Sequence, residues 1–250
     1  MRPALQQLLL AMCLNRSLFV CEDPATWRCV YAKYWEVVEL KSRLSKDGKA
    51  GKLLTLDKWY QEELPMAIAS RAERFVTHSE LVKVMEWKLT RGKFRPRLQQ
   101  LVATNPSETV EKCTKRAFSF LPDVQAAILE LSSLKAVGPA TASAVLTAGA
   151  PELAAFMADE AMETIPGLKP IQYTAKHYSL YLQSVVECTN TLNKVDCEQD
   201  WTPHRVELCL WAWAVASQLQ PSLLQDLKEA ECSEEGLEKS QKPAKRQKTK

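Results

Sequence analysis

The sequence predicts an all-α protein, with about ten helices in one globular domain, and three observations carry that prediction. Helix-start signals recur along the chain, whereas the alternating pattern of strands does not. Apolar residues return at intervals of three and four, which is the spacing of one helix face. Only 7 of the 250 residues are glycine, against about 17 at the usual frequency of roughly 7%. So few glycines disfavour turn-rich sheets and glycine-rich nucleotide-binding loops.

Capping residues mark the helix starts in the first half of the chain. Asp23 precedes Pro24, and proline is favoured at the first position of a helix. Thr77 and Glu80 have the spacing of a capping box ahead of an apolar run. The predicted segments are a helix over 23–44, a basic linker over 46–52, a helix pair over 56–70 and a helix from Thr77 to about Thr90.

The second half repeats these signals. Asn105 precedes Pro106 in the same N-cap and proline pattern, and Asp123 and Thr202 are further N-cap candidates. Gly92 and Pro96 bracket a charged loop between the two halves. The predicted helices run over 105–120, 123–134, 139–149, 159–165 and 171–193, with a last one from Thr202 through the apolar run that ends at Gln220.

Three regions follow from these segments. Residues 1–22 are expected to be an N-terminal extension; a cleaved signal peptide is the less favoured alternative, because Arg16 interrupts its apolar stretch. The helical domain is expected over 23–230, and residues 231–250, which are polar and rich in lysine, are expected to be a disordered basic tail. No apolar run reaches the length of about 18 residues that a membrane span needs, so no membrane partner is expected.

Charge is distributed unevenly along the chain. The formal net charge is +3, but the last twelve residues carry +6, so residues 1–238 sum to −3. Affinity for nucleic acid must therefore come from the tail or from a local patch. Residues 83–116 form such a patch, with a local charge of +6.

Cysteine and histidine give no sign of a cofactor. The 8 cysteines are scattered without a C-x-x-C pair, and the 3 histidines are isolated from them. No metal site and no cofactor is therefore expected. Free cysteines in apolar segments are typical of buried residues in a reducing compartment.

The most specific stretch joins the helices predicted at 123–134 and 139–149. The connection is short, Ala136-Val137-Gly138, and the helix that follows begins with small residues, including Ala140 and Thr141. Small residues allow two helices to pack closely. Backbone N–H groups at such a hairpin and at the following helix N-terminus suit a phosphate. The residues expected to contact the DNA backbone are therefore Ala136, Val137, Gly138, Ala140 and Thr141.

This stretch resembles the helix-hairpin-helix DNA glycosylase superfamily. The hairpin and second helix of that family match at Val137-Gly138, Thr141-Ala142 and Val145-Leu146, over a motif predicted at 124–149. Gly149 and Pro151 stand in for the family's Gly/Pro loop. Asp159 falls where the family carries its catalytic aspartate, which the resemblance therefore assigns to it. The strong part of the likeness covers about 30 residues.

Two departures limit what the resemblance implies. The first hairpin glycine is replaced by Ala136, and Ala140 stands where bifunctional members carry a lysine nucleophile. Without that amine no Schiff base forms there, so the resemblance implies monofunctional chemistry. Asp159 would stabilise an oxocarbenium-like sugar while a flipped base leaves from a pocket. A simpler alternative is that Asp159 only caps a helix beginning at Glu160.

A second candidate DNA contact is the charged loop after Trp87. Arg91, Lys93, Arg95 and Arg97 can neutralise phosphates, and Phe94 can stack on or wedge beside a base. The alternative is a solvated loop anchored to the core by Phe94.

The sequence thus predicts a DNA-binding helix-hairpin-helix protein, either a monofunctional DNA glycosylase or a non-catalytic binding module. A helical protein-interaction domain is the third possibility. The expected partners are the phosphate backbone of duplex DNA and, through the basic residues 242–250, a nuclear import receptor. The expected location is the nucleus.

Overall fold

The helix-start signals in the sequence mark real helix starts in the structure, a computed structural model that describes residues 17–44 and 51–224. These residues form one all-helical globular domain and none of them lies in a strand. The helices are α1 (Pro24–Ala32), α2 (Tyr34–Arg43), α3 (Lys52–Lys58), α4 (Leu64–Ala69), α5 (His78–Arg91), α6 (Leu98–Val102), α7 (Ser107–Ser119), α8 (Val124–Leu131), α9 (Pro139–Gly149), α10 (Asp159–Thr164), α11 (Ala175–Val195) and α12 (Pro203–Leu219).

Short irregular helices complete the described chain. A π-helical turn at Trp59–Glu63 joins α3 to α4, and 3₁₀ turns lie at Leu18–Val20 and Pro221–Leu224. In the described part of the chain no helix combines the length and the apolar character that a bilayer crossing would require.

Three of the predicted caps are confirmed. The Thr77 hydroxyl accepts from the backbone N–H of Glu80, and the Glu80 carboxylate accepts from the N–H of Thr77, which completes a capping box. Asp123 caps α8 and Thr202 caps α12 through their own side-chain oxygens. Each side chain satisfies an N–H that the first helical turn leaves without an acceptor.

Several predicted segments differ from the structure. The helix pair expected over 56–70 begins at Lys52, inside the linker predicted for 46–52, and α6 is not predicted. The helix expected over 23–44 is divided at Lys33 into α1 and α2. The cap expected at Asn105 is wrong, because α7 begins at Ser107 with Pro106 as its N-cap. The Asn105 side chain binds the backbone of Lys135 instead.

The N-terminal boundary also moves. Leu18 is buried in the core, and the Trp27 indole N–H donates to the Cys21 carbonyl at 2.8 Å. The Ser17 hydroxyl donates to the carbonyl of Thr164. Residues 17–22 therefore belong to the domain, not to the extension predicted for 1–22. The predicted tail at 231–250 lies outside the described residues, as do residues 225–230 of the predicted domain.

The apolar helix α12 occupies the centre of the core. It packs against α1, α2, α10 and α11, and its buried face includes Trp211. A second aromatic contact stacks Tyr60 on Trp87 with ring centroids 3.5 Å apart, and the Tyr60 hydroxyl donates to the Ala144 carbonyl of α9 at 2.8 Å. This bond ties the π-helical turn to the second helix of the hairpin.

Gly149 allows two helices to approach closely. A Cβ at this position would lie 2.5 Å from the ring of Phe118 in α7. A larger residue at position 149 would therefore require the Phe118 ring to move.

Candidate functional site

The hairpin between α8 and α9 forms where the sequence predicts it. α8 ends at Leu131, and the chain turns through Ala136, which has a positive φ of 64°. Gly138 is the N-cap residue of α9 in extended conformation. The small side chains at the start of α9 are buried, and α9 packs against α8. The close packing expected of small residues is therefore present.

Asn105 fixes the hairpin from outside. Its amide Nδ2 donates to the Lys135 carbonyl at 3.0 Å, and its Oδ1 accepts from the Lys135 N–H at 2.8 Å. Nδ2 also donates to the Val102 carbonyl at 2.7 Å. A buried amide with three such bonds clamps the hairpin to the end of α6. No local sequence pattern indicates the contact between Asn105 and Lys135, because the two residues lie 30 positions apart along the chain.

The predicted hairpin residues differ in their exposure. Val137, Ala140 and Thr141 have buried side chains, Ala136 is half-buried and Gly138 is exposed. Of these five residues, only the backbone groups are thus available to a phosphate. Ala140 lies in the first turn of α9, where N–H groups lack intrahelical acceptors.

Asp159 is held at the start of α10 by the segment before it. The backbone N–H of Met157 donates to the Ser143 hydroxyl of α9 at 3.0 Å, and the Tyr181 hydroxyl of α11 donates to the Phe156 carbonyl at 2.9 Å. The Tyr178 hydroxyl donates to the Ala155 carbonyl at 3.2 Å. These buried bonds anchor the segment that presents the carboxylate.

The Asp159 carboxylate is part of a surface cluster and is not a helix cap. Ala158 is the N-cap residue of α10, without a side-chain capping bond, and Asp159 is the first helical residue. The Tyr173 hydroxyl donates to Oδ1 at 2.9 Å and to Oδ2 at 2.7 Å. Lys93 Nζ lies 2.8 Å from Oδ2. The alternative that Asp159 only caps a helix is therefore wrong.

A narrow cleft opens beside this carboxylate. Its walls come from the start of α9 at Ala140, the loop at 92–95, the segment 156–160 and Tyr173. The cleft holds about 40 Å³, room for a few water molecules. The hairpin helix, the basic loop and Asp159, which the sequence predicts as separate features, thus meet at one place.

The surroundings of Asp159 shift the pKa values of its partners. The carboxylate stabilises the ammonium group and so raises the pKa of Lys93. Partial burial and the bond to Asp159 raise the pKa of the Tyr173 phenol. Burial and repulsion by Arg95 lower the pKa of Lys88, which also lines the cleft. Lys93 and Tyr173 therefore stay protonated beside Asp159 at neutral pH.

Arg91 does not take part in the predicted exposed loop. Its side chain is 1% exposed, and Nη1 donates to Glu207 Oε1 of α12 at 2.8 Å. Arg91 is the last residue of α5 and lies four residues after the buried Trp87, so it shares the inner face of the helix. The prediction that Arg91 contacts DNA from the surface is wrong, and its spacing from Trp87 is the signal in the sequence that indicates burial.

Arg91, which also lines the cleft, belongs to a buried polar cluster. Its guanidinium lies 4.2 Å from the centroid of the Trp211 ring, and its Nε is 3.8 Å from Asp57 Oδ1. The Tyr34 hydroxyl and the Trp87 indole N–H each donate to Asp57 at 2.6 Å. Aromatic rings and hydrogen-bond donors thus replace water around Asp57, whereas Arg91 Nε and Nη2 and Glu207 Oε2 find no hydrogen-bond partner among the described residues.

Burial moves the pKa values of two more groups in this cluster. Desolvation raises the pKa of Glu207 to about 7, although Arg91 opposes the shift. Desolvation, together with Arg91 and Arg205, lowers the pKa of His204 to about 3. His204 Nε2 lies 2.7 Å from Gln61 Oε1, and its Nδ1 is 3.9 Å from Glu207 Oε2. His204 is therefore neutral across the physiological range.

The other loop residues are at the surface. Lys93, Phe94, Arg95 and Arg97 are all exposed, and the Arg95 guanidinium lies 5.4 Å from the centroid of the Tyr173 ring. Within 17–44 and 51–224, no three His, Cys, Asp or Glu side chains come together as metal ligands would.

No family model matches the chain, and no curated protein or solved structure matches it.

The contacts around Asp159 exceed what the sequence indicates. Lys93 and Tyr173 lie 66 and 14 residues away along the chain, so no local spacing joins the three side chains. The sequence predicts Lys93 as a phosphate contact. The pairing of Lys93 and Tyr173 with one carboxylate arises where the loop after α5, the start of α10 and the segment before α11 line one cleft.

Proposed function

We propose that this chain is a DNA-binding protein of the helix-hairpin-helix type. The observation that supports the proposal is the shared cleft: the start of the hairpin helix, the basic loop and Asp159 line one surface. The alternative of a helical protein-interaction domain predicts that the hairpin and the basic loop share no exposed face.

In this proposal, two kinds of group bind the phosphate backbone. Backbone N–H groups at Gly138 and Ala140 approach one phosphate at the N-terminus of α9. Lys93, Arg95 and Arg97 neutralise neighbouring phosphates along the exposed loop. When DNA binds, the Lys93 ammonium leaves Asp159 and pairs with a phosphate instead. Lys93 therefore keeps one ionic contact.

The test is the salt dependence of duplex binding. Replacing Lys93, Arg95 and Arg97 with Ala should lower the slope of log affinity against log salt by up to about 0.9 for each phosphate that is no longer neutralised. The matched control replaces the exposed Lys58, Lys176 and Lys194 with Ala and should keep the slope. Both variants are measured with and without residues 239–250. Equal slopes for wild type and loop variant would refute DNA binding by this surface.

A second candidate function is monofunctional removal of a base from DNA. It is favoured by the position of Asp159 on the cleft instead of at a helix cap. An ionised Asp159 would stabilise positive charge that develops on the sugar. Since the cleft holds only about 40 Å³, Lys93 and Tyr173 must move before a nucleotide enters.

Base release from a panel of lesion-bearing duplexes tests this second function. Asp159→Asn keeps the shape of the side chain and removes its charge, so base release should be abolished while thermal stability is largely retained. Glu160→Gln is the neighbouring control, since Glu160 pairs with Lys41 at 2.8 Å. If the wild type releases no base from any duplex, the non-catalytic binding module is the better description.

We also propose that residues 242–250, which lie outside the described residues, direct the chain to the nucleus. A fluorescent fusion with these residues should accumulate in nuclei. Equal accumulation of a fusion that lacks them would refute the proposal.

A further inference from the structure

A groove next to the Asp159 cleft is much larger than the cleft itself. It holds about 680 Å³, which lies within the range of roughly 300–1,000 Å³ for ligand-binding pockets. We name it the Tyr173 groove, and its walls include Lys93, Arg95, Lys169, Pro170, Ile171 and Tyr173. Lys93, Arg95 and Tyr173 also line the cleft, so the two spaces are continuous.

Positive charge dominates the walls of the Tyr173 groove. Lys93, Arg95 and Lys169 line the groove together with one carboxylate, Glu163, and Lys93 also pairs with Asp159 of the adjoining cleft. Lys169 Nζ lies 3.9 Å from Glu163 Oε2, and both side chains are exposed. Exposed ion pairs contribute little to stability, so these cations can transfer to phosphates at small cost. The groove therefore suits a chain of negative charges.

Tyr173 stands at the junction of groove and cleft. Its side chain is exposed, while its hydroxyl is fixed by both oxygens of Asp159. The anchored hydroxyl holds the ring in one place, and Pro170 and Ile171 extend the apolar surface beside it. A fixed aromatic ring in a cationic groove is the arrangement on which single-stranded nucleic acids stack their bases.

We propose that the Tyr173 groove binds an unpaired segment of a DNA strand, with a base against Tyr173 and phosphates on Lys93, Arg95 and Lys169. This inference rests on the proposed DNA-binding function and names its preferred ligand. A base in a continuous duplex has both faces covered by its neighbours. Only a nucleotide that has left the stack can present a face to Tyr173.

The experiment compares three DNAs with the full-length chain by fluorescence anisotropy at fixed salt. They are a duplex, the same duplex with a central bubble of unpaired thymidines, and a thymidine single strand. The bubble duplex should bind about tenfold more tightly than the continuous duplex, since one stacked base contributes an effect of this size.

Variants locate the preference in the groove. Tyr173→Leu removes the ring and should abolish the preference for the bubble, whereas Tyr173→Phe removes only the hydroxyl and should retain it. Lys169→Gln should weaken bubble binding several-fold and change duplex binding little. Lys58→Gln is the matched control, because Lys58 is exposed and does not line the groove.

Each outcome decides the inference. Equal affinity for the duplex and the bubble, or a preference that survives both Tyr173→Leu and Lys169→Gln, overturns it and leaves the proposed DNA binding intact. Equal weakening by Tyr173→Phe and Tyr173→Leu overturns the stacking role of the ring. Absence of binding to all three DNAs overturns the inference together with the proposed function.

Discussion

Arg91 and Lys93 lie two residues apart along the chain, and each pairs with a carboxylate. The first pair is buried, whereas the cation of the second is exposed. Arg91 and Glu207 are 2.8 Å apart, and each side chain is 1% exposed. Lys93 and Asp159 are also 2.8 Å apart, but their side chains are 62% and 12% exposed. Between them Gly92 ends α5 and the chain leaves the helix. Equal distances thus describe two ion pairs with different energetic consequences.

The difference concerns what happens when a partner is removed. A buried charge whose partner is removed keeps its desolvation cost, so the remaining group destabilises the fold strongly. An exposed charge in the same situation is solvated by water instead. Arg91 is therefore required for the fold, whereas Lys93 can exchange Asp159 for another anion.

The largest effect is expected from Arg91→Met. It leaves Glu207 and Asp57 buried without their cation and should lower the free energy of unfolding by about 3–5 kcal/mol. Arg95→Met, at an exposed position, is the control and should change little. Urea denaturation measures both. Similar small decreases for the two variants would show that the buried pair is not required.

The pH dependence of stability tests the buried cluster in a second way. The pKa of His204 is about 3 in the folded chain and about 6.5 when unfolded. Between these values only the unfolded chain binds this proton, so the contribution of His204 to stability decreases as pH falls, opposite in sign to that of Glu207, whose pKa is raised on folding. His204→Gln removes this contribution and should reduce the fall in stability from pH 6.5 to pH 4.5 by roughly 1.4 kcal/mol per pH unit. Superimposable pH profiles for the two proteins would contradict a neutral buried His204.

Two asparagines allow the hairpin to be separated from general stability. The Asn105 side chain binds the backbone N–H and carbonyl of Lys135. The Asn193 side chain binds the same two groups of Trp201, each at 2.9 Å. Replacing either with Ala should cost about 1–3 kcal/mol, because buried backbone groups are left without partners. Only Asn105→Ala should also weaken duplex binding. Equal binding by the two variants would place the DNA-binding surface away from the hairpin.

The smallest effect on stability is expected from Lys93→Met. Because Lys93 is exposed and Tyr173 still donates to Asp159, removal of the cation should change the free energy of unfolding by less than about 1 kcal/mol. The same variant should lower the salt slope of duplex binding by about 0.9, the contribution of one neutralised phosphate. A large decrease in stability would place Lys93 with Arg91 as a structural cation.

The helical architecture is predictable from the sequence because its signals are local. Thr77, Asp123 and Thr202 cap helices through bonds that reach only three residues along the chain. The start of α9 at Pro139 follows from the preference of proline for the first helical turn. Such signals act through neighbouring residues, and tertiary packing does not override them here.

The contacts around the candidate site are not predictable in this way. The proline after Asn105 predicts that Asn105 caps a helix. Its side chain instead binds Lys135, which lies 30 residues away. The charge of Arg91 predicts an exposed position in the loop. Arg91 follows Trp87 by four residues, however, and this spacing places Arg91 on the buried face of α5. Residue type indicates chemistry in both cases, but only the packing of distant helices determines which partner each side chain meets.

The left-handed backbone at Ala136 has a consequence for protein engineering. A residue with a Cβ at a φ of 64° carries a steric penalty of roughly 1–2 kcal/mol, whereas glycine accepts this conformation freely. Glycine also adds freedom to the unfolded chain, which offsets about 0.4–1 kcal/mol of the relief. Ala136→Gly should therefore raise the melting temperature slightly and leave the hairpin in place. The slightly more stable variant would then be a candidate for crystallisation trials, including trials that test the proposed binding of DNA.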